Sequence, residues 1–362
     1  MSDRGIIMKN IPEFVNREKD KEKVKRLLSG RPNLVYFVYG PINSGKTTLL
    51  MKVFEELPEN YCVFYINFRW RDVQRVEDLI RVLFRVKREI ISEQMQDFLK
   101  ELFKGGARVL SRLKGIPIPE NIFDVLFRRA EKVEDVFAYL EEYFENIKAL
   151  GYSPVLVLDE MQTIKDVINT SGKSVLAGLF NFLVGMTKER HLCHCLCATS
   201  DCLFIEDVYS NARLEGRAEY ILVDDLGKEE SLKVYEEFGF EEKTKVWEYI
   251  GGKLGDMVRF YEKKKQGYSE KDALESMFRD ARNTIEWMMD LSGEGEKEGL
   301  QVREIKIFLE KFKVDEERKY KDVKGKVLKF LIDKNILFFN SVEGIVRPQS
   351  RLLWKAIKNV EC

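Results

Sequence analysis

Gly40-Pro41-Ile42-Asn43-Ser44-Gly45-Lys46-Thr47 is the stretch that decides the fold. It follows the apolar run LVYFVY at residues 34–39 and precedes apolar residues at helical spacing, namely Leu49, Leu50, Val53, Phe54 and Leu57. A strand, a glycine-rich loop of the pattern G-x-x-x-x-G-K-[ST] and a helix together form a phosphate-binding arrangement. We therefore predict a nucleotide-binding P-loop at residues 40–47, with Thr48 completing the contact surface.

Composition narrows the class of protein. The chain has 362 residues, enough for two or three domains with separate cores. Basic and acidic residues number 61 each, so a charged partner requires a local patch of charge. No apolar run reaches the ~20 residues of a bilayer-spanning helix, and the first residues lack the apolar core of a secretory signal. Six cysteines in a chain of this length do not indicate a disulfide framework. These features predict a cytoplasmic protein with no membrane partner.

Further apolar runs predict the other strands of a parallel sheet. They lie at residues 63–68, 155–158, 192–198 and 220–223, and helical patterns separate them. The clearest helical pattern runs from Val133 to Ile147. Residues of about 72–132 predict a helical insertion, with Leu79, Ile80, Leu83 and Phe84 at helical spacing and a break at 115–119. The expected fold is therefore an α/β P-loop NTPase, with an ATPase domain at residues 1–225.

Two carboxylates follow the strand at residues 155–158. The carboxyl ends of parallel strands open on the ligand crevice, so Asp159 and Glu160 are expected there. Asp159 suits the binding of Mg²⁺, to which Thr47 would contribute a hydroxyl. Glu160 suits the orientation and deprotonation of an attacking water. Lys46 would bridge the β- and γ-phosphate oxygens, and an ordinary strand end is the alternative for the two carboxylates.

Polar and basic residues follow the strand at residues 192–198. Thr199 or Ser200 would contact the γ-phosphate or the attacking water, and a capped turn is the alternative. Arg213 and Arg217 come next. A guanidinium group is well suited to stabilising charge on a transferred phosphoryl group. For both arginines a surface position without such a role is the alternative.

The remaining sequence is helical and then mixed. Residues 226–275 predict a helical lid of short helices interrupted by Gly239, Gly251-Gly252, Gly255 and Gly267. Residues 276–362 predict helices at 285–291, 302–312 and about 320–334, then a hairpin around Gly344 and a final helix. Three helices followed by a hairpin are typical of a winged-helix domain.

The third of these helices is basic. Between residues 318 and 334 the sequence holds seven lysines or arginines and two aspartates. A basic third helix is the part of a winged-helix module that contacts DNA. We expect Lys319, Lys321, Lys324 and Lys326 to carry such a contact, and a solvated lysine-rich face is the alternative.

Taken together, these motifs resemble the archaeal ATPases of the STAND class, within the AAA+ P-loop ATPases. The resemblance extends over nearly the whole chain. It rests on Asn16-Arg17-Glu18, residues 40–48, residues 155–162, Thr199-Ser200, Gly216-Arg217, Gly251-Gly252 and the winged-helix tail. One position departs from it, because Leu254 stands where the family commonly has proline shortly after the glycine pair.

The resemblance implies binding of ATP or ADP with Mg²⁺, and slow hydrolysis that changes the position of the C-terminal module. It further implies that Asn16 and Arg17 lie near the adenine, that Glu160 is the catalytic carboxylate and that Thr199 is the sensor. Arg217 would be the arginine that stabilises the γ-phosphate, in its own subunit or in a neighbour's. Proteins of this class commonly relay signals to partners, so the winged helix would bind either protein or DNA.

The leading hypothesis is thus an ATP-hydrolysing molecular switch. A nucleotide-dependent DNA-binding protein that resembles replication initiators is the alternative. A P-loop kinase of small molecules is a third hypothesis, which the adjacent Asp159 and Glu160 and the winged-helix tail disfavour.

Overall fold

The computed structural model describes residues 17–70, 76–88, 90, 94–104, 115–129, 133–164, 173–209, 211–294 and 301–360. They divide into two compact units. The sheet unit consists of Lys19–Tyr39 and Leu49–Leu222. The P-loop unit consists of the described residues within Met1–Glu18, Gly40–Thr48 and Val223–Cys362.

The secondary structure follows the chain in this order. The strands are β1 (Val35–Tyr39), β2 (Tyr61–Asn67), β3 (Phe84–Lys87), β4 (Ile116–Pro119), β5 (Ser153–Asp159), β6 (His194–Thr199), β7 (Ala218–Leu222), β8 (Arg318–Lys319), β9 (Leu337–Asn340) and β10 (Ile345–Pro348). The helices are α1 (Glu18–Ser29), α2 (Lys46–Glu55), α3 (Val76–Leu83), α4 (Met95–Phe103), α5 (Glu120–Arg129), α6 (Val133–Ala149), α7 (Lys173–Val184), α8 (Cys202–Tyr209), α9 (Lys228–Glu237), α10 (Lys243–Ile250), α11 (Leu254–Lys265), α12 (Glu270–Glu294), α13 (Val302–Val314), α14 (Tyr320–Val323), α15 (Lys326–Asp333) and α16 (Arg351–Lys358).

A parallel sheet forms the centre of the sheet unit. Its strand order is β2-β5-β6-β1-β7, and every neighbouring pair is parallel. These are the five strands that the apolar runs predict, so the predicted α/β P-loop fold is confirmed. The strands are apolar because helices cover them. Phe64 of β2 packs edge-on against Phe144 of α6, and Phe37 of β1 packs in the same way against Phe180 of α7.

The insertion between β2 and β5 is not purely helical. Leu79, Ile80 and Leu83 lie on α3 as predicted, but Phe84 begins β3, which pairs in parallel with β4. The helical pattern is interrupted at 115–119 as expected, and Ile116–Pro119 forms a strand there, which was not predicted. Its two prolines lack amide hydrogens, which a strand can tolerate at a sheet edge. Residues 105–114 of the insertion lie outside the described chain.

Three helices follow β7 in the P-loop unit. Helix α10 ends at Ile250, and Gly251 follows it with a φ of 57°. Gly252 lies so close to Leu226 that a Cβ there would be 1.8 Å from its carbonyl oxygen. The prediction that Gly255 interrupts a helix is wrong, because Gly255 lies in the first turn of α11.

The C-terminal residues combine helices with a small antiparallel sheet. Helix α12 has 25 residues, far more than the predicted 285–291, because buried apolar residues continue at helical spacing from Ala273 to Met288. The third predicted helix is divided into α14 and α15, since Gly325 between them has a φ of 149°. Strands β8, β10 and β9 form a sheet in that order, and the predicted hairpin is confirmed. No helix in the described part of the chain has the length and apolarity that crossing a bilayer requires.

One buried histidine makes the stability of the sheet unit dependent on pH. His194 of β6 is 3% exposed, and burial lowers its pKa to about 4, against an opposing hydrogen bond to the backbone of Gly30. An unfolded chain has a histidine pKa of about 6.5. Between these values the unfolded chain binds a proton that the folded chain does not. The stability that the neutral His194 contributes is therefore fully present above the unfolded-chain pKa of about 6.5. It is lost as the pH falls towards the folded-state pKa of about 4.

We expect His194→Gln to make unfolding less dependent on pH. In the unsubstituted protein this histidine should lower the free energy of unfolding by about 3 kcal/mol between pH 7 and pH 4. Urea denaturation followed by circular dichroism across this range measures the slope. His191→Gln is the matched control, because His191 is the other histidine of the chain. Equal slopes for the His194 variant and the unsubstituted protein would contradict the assignment.

Candidate functional site

The P-loop has a backbone that only certain residues can adopt. Gly40, Asn43 and Gly45 have φ values of 157°, 60° and 92°, and α2 begins at the next residue, Lys46. A Cβ at Gly40 would lie 2.2 Å from the carbonyl oxygen of Val223, which only glycine avoids. A tight loop that leads into a helix N-terminus presents backbone amides and a favourable dipole to an anion.

Side chains of the loop are also suited to an anion. The Lys46 Nζ donates to the carbonyl oxygens of Gly40 at 3.1 Å and Pro41 at 2.8 Å. Ser44 is fully buried, and its hydroxyl has no hydrogen-bond partner among the described residues. A buried hydroxyl without a partner is costly unless a ligand provides one. Phosphate oxygens would satisfy it, so the loop fits the predicted nucleotide. Thr47 and Thr48 are exposed in the first turn of α2.

The start of α11 packs against the P-loop. Lys253 is 5% exposed, and its Nζ donates to the carbonyl oxygen of Ile42 at 2.9 Å. The Gly255 amide donates to the carbonyl oxygen of Asn43 at 3.2 Å. Leu254, which stands where the resemblance expects proline, covers Gly45: a Cβ there would be 2.9 Å from the leucine Cδ1. The departure at Leu254 therefore still provides an apolar contact to the loop.

The side chain of Arg17 supports the P-loop by binding the backbone of the loop. Its guanidinium Nη2 donates to the carbonyl oxygens of Ser44 and Asp224, both at 2.5 Å, and the side chain is 5% exposed. Sequence reasoning expected Arg17 near the adenine, and the structure shows it bound to the P-loop itself. Asn16, the other residue of that prediction, lies outside the described residues.

A second arginine also contacts Asp224. Arg347 of β10 forms an ion pair with the Asp224 carboxylate, and its side chain is 20% exposed. Burial alone would lower the pKa of Arg347. The carboxylates of Asp224 and Asp225 outweigh burial and raise this pKa above its usual value. Lys253 lies 3.3 Å from the Asp225 carboxylate. Contacts of the P-loop, α11 and the C-terminal sheet thus converge on two adjacent aspartates.

In the sheet unit, Asp159 lies at the carboxyl end of β5 and is 2% exposed. Tyr65 of β2 donates its hydroxyl to one carboxylate oxygen at 2.5 Å, and the Glu160 amide donates to the other at 2.9 Å. Burial and the nearby Asp159 raise the pKa of Tyr65, so the phenol keeps the proton that it donates. The Asn67 amide in turn donates to the Tyr65 hydroxyl at 3.1 Å. This network holds Asp159 in one orientation.

Glu160 and Thr199 are joined by a side chain that lies between them. Glu160 has a φ of 60°, which is uncommon for a residue with a side chain. Its two carboxylate oxygens accept from Arg69 at 2.8 Å and from Gln162 at 2.5 Å. Thr199 donates to the Gln162 amide oxygen at 2.6 Å. The structure therefore brings Asp159, Glu160 and Thr199 together at the carboxyl edge of the sheet.

Arg217 lies at the other edge of the sheet. Its carbonyl oxygen accepts from the amide of Val35 at the start of β1, and its exposed guanidinium donates to the carbonyl oxygen of Arg213 at 3.3 Å. Because β1 and β7 are parallel, this is the amino edge, opposite Asp159 and Thr199. Within one chain the structure does not bring Arg217 together with the predicted catalytic residues.

Sequence reasoning missed four side chains of the carboxyl edge. Tyr65 and Asn67 alternate at the end of β2, and such polar alternation in an apolar strand was a usable signal. Gln162 follows Glu160 by two residues, and its contact depends on the turn that the positive φ of Glu160 produces. Arg69 had no local signal, because its 69% exposed side chain resembles any surface arginine.

Comparison with protein families agrees with this geometry. Residues 14–260 match the family described as "ATPase domain predominantly from Archaea". The chain belongs to this family. Residues 271–360 match a second family, the C-terminal domain of proteins like the uncharacterized ATP-binding protein MJ1010. The predicted archaeal ATPase family is therefore confirmed.

Relatives match this chain over nearly its whole length and nearly the whole of their own. The ATP-binding proteins MJ0147 and MJ0801 of Methanocaldococcus jannaschii are each 38% identical to the chain and each match 96% of it. The matches cover 98% and 100% of those proteins. Among solved structures, the Walker-type ATPase of Pyrococcus abyssi has a TM-score of 0.62 at 17% identity, covering 95% of this chain and 96% of its own. This likeness shows a shared fold.

We expect Arg347→Gln to destabilise the P-loop unit by about 1 kcal/mol, because the half-buried ion pair of Arg347 with Asp224 loses one charge. A double-mutant cycle with Asp224→Asn, measured by urea denaturation, should give a coupling energy of at least about 0.5 kcal/mol. Arg318→Gln is the matched control, since this arginine of the same small sheet pairs with the exposed Asp315. Such surface pairs contribute little. Additive effects of the two substitutions would show that Arg347 and Asp224 do not interact.

Proposed function

We propose that this archaeal ATPase is a cytoplasmic molecular switch of the STAND class that binds and hydrolyses ATP. One set of contacts supports the proposed switch. Arg17 donates to the backbone of Ser44 in the P-loop and to the backbone of Asp224. The Asp224 carboxylate in turn pairs with Arg347 of β10. A change in the P-loop on nucleotide binding is therefore transmitted to a contact of the C-terminal sheet. The ATP-binding relatives support ATP as the nucleotide.

The P-loop binds the phosphates of ATP. Backbone amides of residues 42–46 surround the β-phosphate, and Lys46 exchanges the carbonyl oxygens of Gly40 and Pro41 for β- and γ-phosphate oxygens. The buried Ser44 hydroxyl gains an acceptor. Thr47 and Asp159 supply a hydroxyl and a carboxylate, which are oxygen ligands that Mg²⁺ prefers. Bound Mg²⁺ neutralises charge on the phosphates.

Hydrolysis depends on the carboxyl edge of the sheet. Glu160 orients the attacking water and accepts its proton, once Arg69 or Gln162 releases a carboxylate oxygen. Release of Arg69 costs little, because its side chain is 69% exposed. Thr199 senses the γ-phosphate and communicates with Glu160 through Gln162. Arg217, at the opposite edge, stabilises a γ-phosphate only in a neighbouring copy.

The C-terminal module is a winged helix by this proposal. Helices α13 to α15 precede the β9–β10 hairpin, and β8 adds a third strand, which is the element order of that fold. Its β10 strand carries Arg347, so the nucleotide state changes its position. We also propose the domain division into the ATPase domain (1–225), the lid (226–275) and the winged helix (276–362).

Two substitutions separate ATP binding from hydrolysis. We expect Lys46→Ala to abolish ATP binding, because the loop loses the cation that bridges the phosphates. We expect Glu160→Gln to retain ATP but to lower turnover by about 10²–10⁴-fold, because the amide does not accept a proton. Calorimetric titration with ATP and an assay of released phosphate measure the two effects.

Lys52→Ala is the matched control, since Lys52 lies on α2 but pairs with the exposed Glu55. It should retain both binding and turnover. Undiminished phosphate release by the Gln variant would remove Glu160 from this role. Retained ATP affinity in Lys46→Ala would mean that ATP binds elsewhere.

Nucleotide-dependent binding of duplex DNA is the second candidate function. Lys319, Lys321, Lys324 and Lys326 are all exposed, and none forms an ion pair with a residue that the structure describes. They lie at the end of β8, in α14 and at the start of α15 rather than along one helix. Unpaired exposed lysines close together in sequence support contact with phosphates. A protein partner is the other candidate for this surface.

Salt dependence tests the DNA contact. We expect the affinity for duplex DNA to fall steeply with salt, and Lys324→Gln with Lys326→Gln to reduce that log-log slope by about 2, since each phosphate contact contributes about 0.9. Fluorescence anisotropy of labelled duplex DNA, with and without ATP, measures it. Lys228→Gln with Lys271→Gln is the matched control, because both lysines are exposed in α9 and α12. Absence of binding at low salt would exclude DNA as the partner.

A further inference from the structure

A cavity of about 550 Å³ lies in the sheet unit, between the carboxyl end of β2 and the insertion. Sites for small molecules in proteins commonly have volumes of about 300–1,000 Å³. The described residues that line it are Tyr65, Ile66, Asn67, Arg81, Val82, Phe84, Arg85, Val86, Gly115 and Phe123. None of these residues belongs to the P-loop.

The charge of this wall favours an anion. Arg81 and Arg85 are exposed, and none of the lining residues that the structure describes is acidic. Arg85 forms no ion pair with any residue in the described part of the chain. Guanidinium groups bind carboxylates and phosphates through paired hydrogen bonds, which a lysine does not provide. The Asn67 amide adds a further polar group to the same wall.

The rest of the wall favours an apolar body. Phe84 and Phe123 are aromatic residues of the wall, and Val82 and Val86 are aliphatic ones. Such surface gains free energy when it is removed from water, about 25 cal/mol per Å². A fully hydrated inorganic anion would leave these side chains without contacts. An organic anion with a flat apolar part would use both halves of the wall.

The insertion is fixed to β2 at this point. The Gly115 amide, next to β4, donates to the carbonyl oxygen of Tyr65 at 2.9 Å. A Cβ at Gly115 would lie 3.3 Å from the carbonyl oxygen of Leu83, and its φ is 91°, so glycine suits the junction. The cavity is therefore held by backbone contacts as well as side chains.

We propose that this cavity binds a small organic anion with a flat apolar body, through Arg81, Arg85 and the aromatic wall. Tyr65 lies in the cavity wall and donates a hydrogen bond to Asp159. A molecule in the cavity that contacts Tyr65 is therefore one hydrogen bond away from the Asp159 carboxylate. In that position the anion is an effector of ATP turnover. The effector role rests on the proposed function, and binding itself does not.

Naphthalene-2-carboxylate and the neutral naphthalene-2-carboxamide are suitable probes, because they share a flat body and differ in charge. With the full, nucleotide-free chain we expect saturable binding at one site, and a preference for the carboxylate of at least about tenfold. Arg81→Gln with Arg85→Gln should remove the preference. Arg88→Gln is the matched control, since Arg88 pairs with Glu120 and does not line the cavity. Isothermal titration calorimetry measures each affinity.

Two further variants locate the probe. Val86→Trp should weaken both probes, because the larger side chain fills the cavity. Lys46→Ala should leave both affinities unchanged, which excludes the P-loop as the binding place. Absence of saturable binding, or a carboxylate preference that survives in the double arginine variant, would overturn the proposal. Either result would contradict the cavity site without contradicting the proposed ATP hydrolysis. Conversely, a chain that binds the probes but does not hydrolyse ATP would contradict only the proposed function.

Discussion

The P-loop unit depends on the contacts that converge on Asp224. Arg17 donates to its backbone carbonyl and to that of Ser44 in the loop, while Arg347 pairs with its carboxylate. Lys253 connects the neighbouring Asp225 to the loop at Ile42. Buried or half-buried charges are stable only when each has a partner, so these residues require one another. Because the three basic residues come from distant parts of the chain, this junction fixes the loop, the start of α11 and the C-terminal sheet in one arrangement.

The P-loop and the carboxyl edge of the sheet are held by different physical means. The shape of the P-loop is set mainly by its backbone. Gly40 has no space for a side chain, and three residues of the loop have positive φ values. At the carboxyl edge of the sheet, side chains hold one another. Tyr65 fixes Asp159, and Gln162 joins Thr199 to Glu160. A hydrogen bond to a charged group contributes about 1.5–3 kcal/mol, enough to keep each carboxylate in one orientation.

Much of the fold follows from local sequence, because a strand that is buried on both faces is apolar throughout. The runs at residues 34–39 and 155–158 show this pattern, and both form strands of the sheet. The strand at Ile116–Pro119 escaped prediction because its prolines indicate a break when no partner strand is known. Arg217 was expected at the site from the family resemblance, but parallel pairing of β7 with β1 puts it at the amino edge of the sheet. The contact of Arg347 with Asp224 spans 123 residues, and no local pattern contains it.

Helix α12 gives the C-terminal module a mechanical property. It runs without interruption from Glu270 to Glu294, which at 1.5 Å per residue is a rod of about 37 Å. Its first residues follow α11, whose own start contacts the P-loop through Gly255 and Asn43. A tilt of about 10° at the base of such a rod moves its far end by roughly 6 Å, a distance comparable to one helical turn. A straight helix of this length therefore converts a small change of angle at its first turn into a large displacement at its last turn.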